Sequence, residues 1–276
     1  METKLEVINS VDALEAINRT EVDIAISTAR AYPRNMEKAK EEIYKLATSS
    51  RETAEACFYH LERKDKDGKK IDITGPSVRM TEIVVYSMGN FNSGFRVVAN
   101  DGKKITAQAV SHDLERNNRV LVEVSRNILT IKGYTFSEDM QVVTGNAAGA
   151  IAWRNANFKN IPNAVWIDIQ ERIKKFIVGD GKEMLKRRDS LLKKFENLGV
   201  SKEDVLKKLN LATVDSIDAE IMIKLFGVLT AIGEGTSSVE EVFGTVPVKT
   251  DSEDLQDDTP ETDQEPKSKD QKLDLK

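Results

Sequence analysis

The sequence is poor in soft metal ligands, with one cysteine, Cys57, and two histidines, His60 and His112. A lone thiol forms no internal disulfide, and this set makes no typical zinc site, so any metal would have to rest on oxygen ligands. No run approaches the roughly 18 consecutive apolar residues of a membrane span, which excludes one. The opening residues, METKLEVINS, lack a basic segment leading into an apolar one, so no secretory signal is expected and the cytoplasm is the expected compartment. Aromatics make up 6% and apolar residues 39% of 276 residues, a lean composition that still permits a globular core of one large or two modest domains.

The net charge of −5 is unevenly spread. Residues 251–276 hold ten acids against four lysines, a balance of −6, which leaves 37 basic and 36 acidic residues, or +1, for the rest. That tail has almost nothing apolar to offset its ordering entropy and is expected to be disordered.

The first 62 residues read as helical. Val22, Ile26 and Ala29 share one face, Tyr32-Pro33 interrupts, and Met36, Ala39, Ile43 and Ala47 restart the period. A short helix over 52–59 carries Cys57, and these helices are expected to pack on the core. A polar link, RKDKDGKK, follows at 63–70, and a helix then starts near Pro76 with Val78, Glu82, Val85 and Gly89 on one face. From Phe91 the period changes to two. Phe95, Val97 and Ala99 alternate, Asn100-Asp101-Gly102 signals a hairpin, and Ile105, Ala107 and Ala109 alternate on the return. A second turn at 115–118 leads to Val120, Val122 and Val124. Such a three-stranded meander needs helices on one face. The small residues at 145–152 of the helix expected over 139–160 suit it for close approach to the sheet. Residues 166–243 read as wholly helical, with a cap at Ser201 and a helix ending at Gly233. The expected fold class is α+β: an antiparallel three-stranded meander flanked by helices, a helical C-terminal module and an acidic tail. The expected divisions are 1–62, 63–165, 166–245 and 246–276.

Catalytic chemistry finds no foothold. GNAAGA lacks the ending of a phosphate-cradling loop, the histidines have no nucleophile pattern beside them, and no glutamate closes a calcium loop begun at Asp65. No cofactor and no enzyme activity are expected. Nucleic-acid chemistry has more support. The stretch 171–194 carries nine basic residues against four acidic ones, densest at Lys186-Arg187-Arg188 and Lys193-Lys194. Such a patch neutralises phosphates with salt-sensitive, sequence-tolerant affinity, or is a solvated helix face. A second basic set surrounds the meander: Lys69, Lys70, Arg79, Arg96, Lys103, Lys104, Arg116, Arg119 and Arg126. With Phe91, Phe95 and Trp153 nearby, it suits a groove that tracks a backbone and stacks bases.

The stretch ITGPSVRMTEIVVYSMGNFNSGFRVV (73–98) resembles the helix-then-strand entry of ring-forming single-strand annealing proteins, the eukaryotic recombination mediators and phage relatives of the RecT, Redβ and Erf type. QVVTGNAAGAIAWRNANFKNIP (141–162) resembles the helix that follows their sheet. Together the likeness covers about residues 71–162. It implies ATP-independent binding of single-stranded DNA and annealing of complementary strands in phage homologous recombination. The implied assembly is a homo-oligomeric ring or filament in the bacterial host cytoplasm, with an exonuclease or replication protein as a further partner and no membrane. On the matching positions it implies that Arg79, Arg96, Arg154 and Lys159 contact the phosphate backbone. Only Arg154 and Lys159 are basic near the end of the post-sheet helix, fewer than family members carry there, and Lys186, Arg187 and Arg188 are the candidates to compensate. A phage structural or assembly role, or a nuclease-accessory role by protein contact, are the alternatives.

Overall fold

The structure, a computed structural model, describes residues 10–64, 70–130 and 132–244. The acidic tail and residues 65–69 of the polar link lie outside them. Three helices open the chain: α1 (Ser10–Ala31), α2 (Met36–Ala47) and α3 (Arg51–Glu55). A hairpin of β1 (Phe58–Lys64) and β2 (Lys70–Pro76) leads to α4 (Val78–Met88). The meander follows as β3 (Phe91–Asn100), β4 (Lys104–Asp113) and β5 (Asn118–Asn127), and then α5 (Glu138–Asn160). The C-terminal part is helical: α6 (Ile167–Val178), α7 (Gly181–Glu196), α8 (Lys202–Leu209), α9 (Ala219–Gly233) and α10 (Val239–Phe243). The fold is α+β, with one antiparallel sheet in the order β3-β4-β5 and a separate two-stranded hairpin.

Local chemistry accounts for the element ends. Asn35, Ser50, Ser77, Ser137 and Asp218 each accept a backbone N–H at the start of their helix, and Ser201 and Ser238 form full capping boxes. Gly102 turns the β3–β4 hairpin at φ +78°, a conformation open to glycine at no steric cost.

The β1–β2 hairpin corrects the expected helix over 52–59 and the loop after it. Ser50 caps a single helical segment that ends at Glu55, and Phe58 starts a strand whose buried side chains meet α9. A Cβ on Gly227 of α9 would stand 2.7 Å from the His60 backbone nitrogen, so the helix lies directly on the strand. In α4 the buried face is Met80, Thr81, Val84, Ser87 and Met88, while Glu82 is exposed, which rotates the expected face. In α1, Ile17 and Ile24 are 55% and 60% exposed and Ala29 alone is buried among its described side chains, so this helix does not pack as expected.

The main core joins α2 to α4 with α6, α7 and α9, through Ile43, Met80, Val84, Ile173, Leu191, Phe195 and Phe226. A smaller cluster of Ala109, Ala152 and Ala156, with Val122, Val124 and Trp153 against it, lies between the meander and α5.

Candidate nucleic-acid interface

Strand alternation gives the meander two unlike faces. One lies under α5: Ile105, Ala107 and Ala109 of the central strand are buried, and a Cβ on Gly145 would meet Ile105 at 2.9 Å. On the other face Thr106, Gln108 and Val110 stay partly exposed. Polar rows cross this open face. Arg96 donates to Gln108 at 3.3 Å, Gln108 donates to Glu123 at 3.0 Å, and Thr106 and Ser125 share a hydrogen bond of 2.8 Å.

Register places Arg96, Lys104 and Arg119 on the open face, since Arg96 pairs with Gln108, Lys104 with Asn127 and Arg119 with His112. All three are exposed. Lys103 stands at the hairpin tip, where the Asp101 carboxylate accepts the backbone N–H of Lys103 at 2.8 Å and of Lys104 at 2.6 Å. Those N–H groups, that of Lys104 first, hold the Asp101 carboxyl below its ordinary pKa. The turn is thereby fixed, and both lysine side chains are left exposed to solvent.

The remaining candidates scatter. Arg126 faces the α5 side beside Ile105 and is half-buried. Arg79 is exposed on α4 but donates to Glu82 at 2.7 Å. Lys159 is exposed near the end of α5, and Lys186 is exposed on α7.

Three arginines depart from the expectation because their guanidinium groups are turned inward. Arg154 is 5% exposed and lies over the Tyr59 ring at 4.1 Å, and burial pushes its pKa below the ordinary arginine value. Arg187 donates to the carbonyls of Phe176 and Ile177, the latter at 2.8 Å, and so caps the end of α6, where cations are favoured. Arg188 binds Asp215 at 2.6 Å. Elsewhere in the stretch 171–194, Arg172 sits over Tyr44 at 3.8 Å, Lys174 pairs with Glu171 at 2.8 Å and Lys194 pairs with Glu55. Much of that stretch serves packing.

The stacking aromatics are also redirected. Phe91 lies under the Arg34 guanidinium at 4.8 Å, Phe95 lies under α5 against Gly149, and Trp153 donates to Ser93 at 2.9 Å. Phe91, Phe95 and Trp153 therefore all point away from the open face.

Sequence reasoning missed Arg34. It donates to Asp113 at 2.6 Å and Glu115 at 2.7 Å and clamps the start of α2 to the β4–β5 turn. The residues that meet are about eighty positions apart, and no local spacing announces them.

No group of three histidine, cysteine, aspartate or glutamate side chains suited to a metal occurs among the described residues. The Cys57 thiol is buried, and burial pushes its pKa up to about 12, far from that of a reactive thiolate. No helix among the described residues is long and apolar enough to cross a membrane. No family model, curated protein or solved structure matches the chain.

Proposed function

We propose that the chain binds single-stranded DNA along the open face of its meander and anneals complementary strands without ATP, as a homo-oligomeric ring or filament in phage-type recombination. The supporting observation is the outward set Lys103, Lys104 and Arg119 on or beside a sheet face that stays open among the described residues. Such a surface grips phosphates, leaves base edges free, and lets pairing between strands supply the sequence specificity. Annealing requires no nucleophile, which fits a fold whose thiol is buried and whose outward basic residues stand at both ends of one sheet face. The likeness of 73–98 and 141–162 to single-strand annealing proteins points the same way.

The test is annealing of two complementary fluorescent strands without ATP, run beside a salt titration of binding to one long strand. Binding is expected to weaken steeply with salt. Changing Lys103 and Lys104 together to alanine removes two phosphate contacts and is expected to flatten the log–log salt slope by about 1.4. Absence of any binding at low salt, or a slope untouched by the double change, would sink this reading in favour of a role by protein contact.

A further inference from the structure

The two free edges of the meander are unlike, and they fit each other. Beneath α5, the strands β4 and β5 are covered through Ala109, Val122 and Val124. On β3, however, Phe95 and Val97 point to the same side and remain 45% and 47% exposed. α5 reaches β3 only through Gly145, Gly149 and Trp153, so this strand is the least covered of the three. Val142, three residues before the Gly145 that touches Val97, adds a side chain 62% exposed to this strip. A long edge strand with apolar side chains in the open is a template for another strand.

Charge gives the edges a direction. The row across the open face runs Arg96, Gln108, Glu123, with its cation on the β3 edge and its anion on the β5 edge. Both outer strands run antiparallel to β4 and hence in the same direction as each other. From these observations we infer that a second copy of this chain docks its β5 edge, in parallel, against the β3 edge of the first. Arg96 then meets Glu123 of the next copy, and the polar row continues from molecule to molecule. This deepens the oligomeric part of the proposed function and names the surface that carries it.

Spacing admits this arrangement, and the charge row favours it over a two-fold one. Head-to-tail repetition sets successive α5 helices three strands apart, about 14 Å, against a helix diameter of about 10 Å. The side chains of Phe95, Val97 and Val142 fill the difference. A two-fold pairing of β3 with β3 gives the same three-strand separation, since α5 lies over β4 and reaches β3 through Gly145 and Gly149. It turns Arg96 toward Arg96, however. The bulge at Val97/Ala99 ends regular pairing there and confines the new ladder to 91–97, which contains Arg96 and Phe95. Because the contact is heterologous, it repeats into a filament or closes into a ring.

The test uses the full chain without DNA, with mass measured by light scattering over a range of concentrations. The wild type is expected above its single-chain mass of 30.8 kDa. R96E and E123R are each expected to raise the midpoint concentration of assembly at least tenfold. The double variant R96E/E123R is expected to recover it, and so is an equimolar mixture of the two single variants, to masses beyond two chains. Far-UV circular dichroism checks folding, and R96Q and E123Q provide gentler versions should a reversal fail to fold. A wild type that is one chain throughout, a reversal without effect, or a mixture that stops at two chains would each overturn the inference. Single-strand binding is read separately. A wild type of one chain that still binds leaves single-strand binding standing without the oligomer, and retained assembly without binding removes that function and leaves this interface.

Discussion

Arg154 shows how a residue marked for DNA by a resemblance becomes internal. Its guanidinium packs on Tyr59, and its Nη1 has no hydrogen-bond partner. Close by, Glu234 accepts the Val78 N–H at 2.8 Å, while burial raises its carboxyl pKa and the Arg154 charge holds it back. The two charges therefore depend on each other. Arg154→Met is expected to lower stability near neutral pH by about 1–3 kcal/mol, the usual cost of stranding a buried polar group. For an acid whose folded pKa lies above the unfolded value, the folded state holds the extra proton, so stability falls as pH rises past the ordinary glutamate range. Urea unfolding of Arg154→Met should accordingly show a larger loss at pH 8 than at pH 5, and adding Glu234→Gln should remove that difference. An equal loss at both pH values would mean that the two groups are not coupled. The salt slope of single-strand binding should be unaffected by Arg154→Met.

At the scale of elements, the closest approaches are made by glycine. A Cβ on Gly149 would stand 2.0 Å from the Phe95 ring, which is half exposed and has room to swing outward. A Cβ on Gly227 would instead meet the His60 nitrogen at 2.7 Å and the Tyr59 carbonyl carbon at 2.9 Å, and strand backbone cannot yield without breaking its ladder. Gly227→Ala is therefore expected to cost about 1–3 kcal/mol and more than Gly149→Ala, as read from urea midpoints. The reverse order would show that α9 has slack over β1. These contacts also show what sequence could reveal. The meander was legible because Asn100-Asp101-Gly102 and the alternating Ile105, Ala107 and Ala109 are local signals. Strand β1 was not, because its apolar partners come from α9, more than 150 residues onward. The face of α4 was misread because two stripes of similar apolarity exist, and only packing against α2 and its neighbours selects Met80 and Val84. Among the site residues, the hairpin lysines were legible for the same local reason. Arg187 and Arg188 were not, since a run of basic residues does not say which of them will cap a helix or pair with Asp215.

For the molecule as a whole, the uneven core implies uneven stability. The main cluster is built of large side chains such as Phe195, Ile173 and Met222, all fully buried. The buried part of the cluster between the meander and α5 consists of three alanines. Burial stabilises by roughly 25 cal/mol per Å² of apolar surface, so the sheet layer contributes far less per element than the helical layer. The two are joined by Phe91 and Phe158, which pack on the main core, and by the ion pairs of Arg34 with Asp113 and Glu115. Regions with little buried apolar area open at lower free energy than the global transition. The two tryptophans report on the two layers, with Trp153 against the alanine cluster and Trp166 in the main core. A Trp166→Phe chain followed through Trp153 is thus expected to change at lower urea than a Trp153→Phe chain followed through Trp166. Arg34→Met should widen the interval by releasing the clamp. Coincident midpoints in both chains would show a single cooperative unit, with the open sheet as firmly held as the helical core.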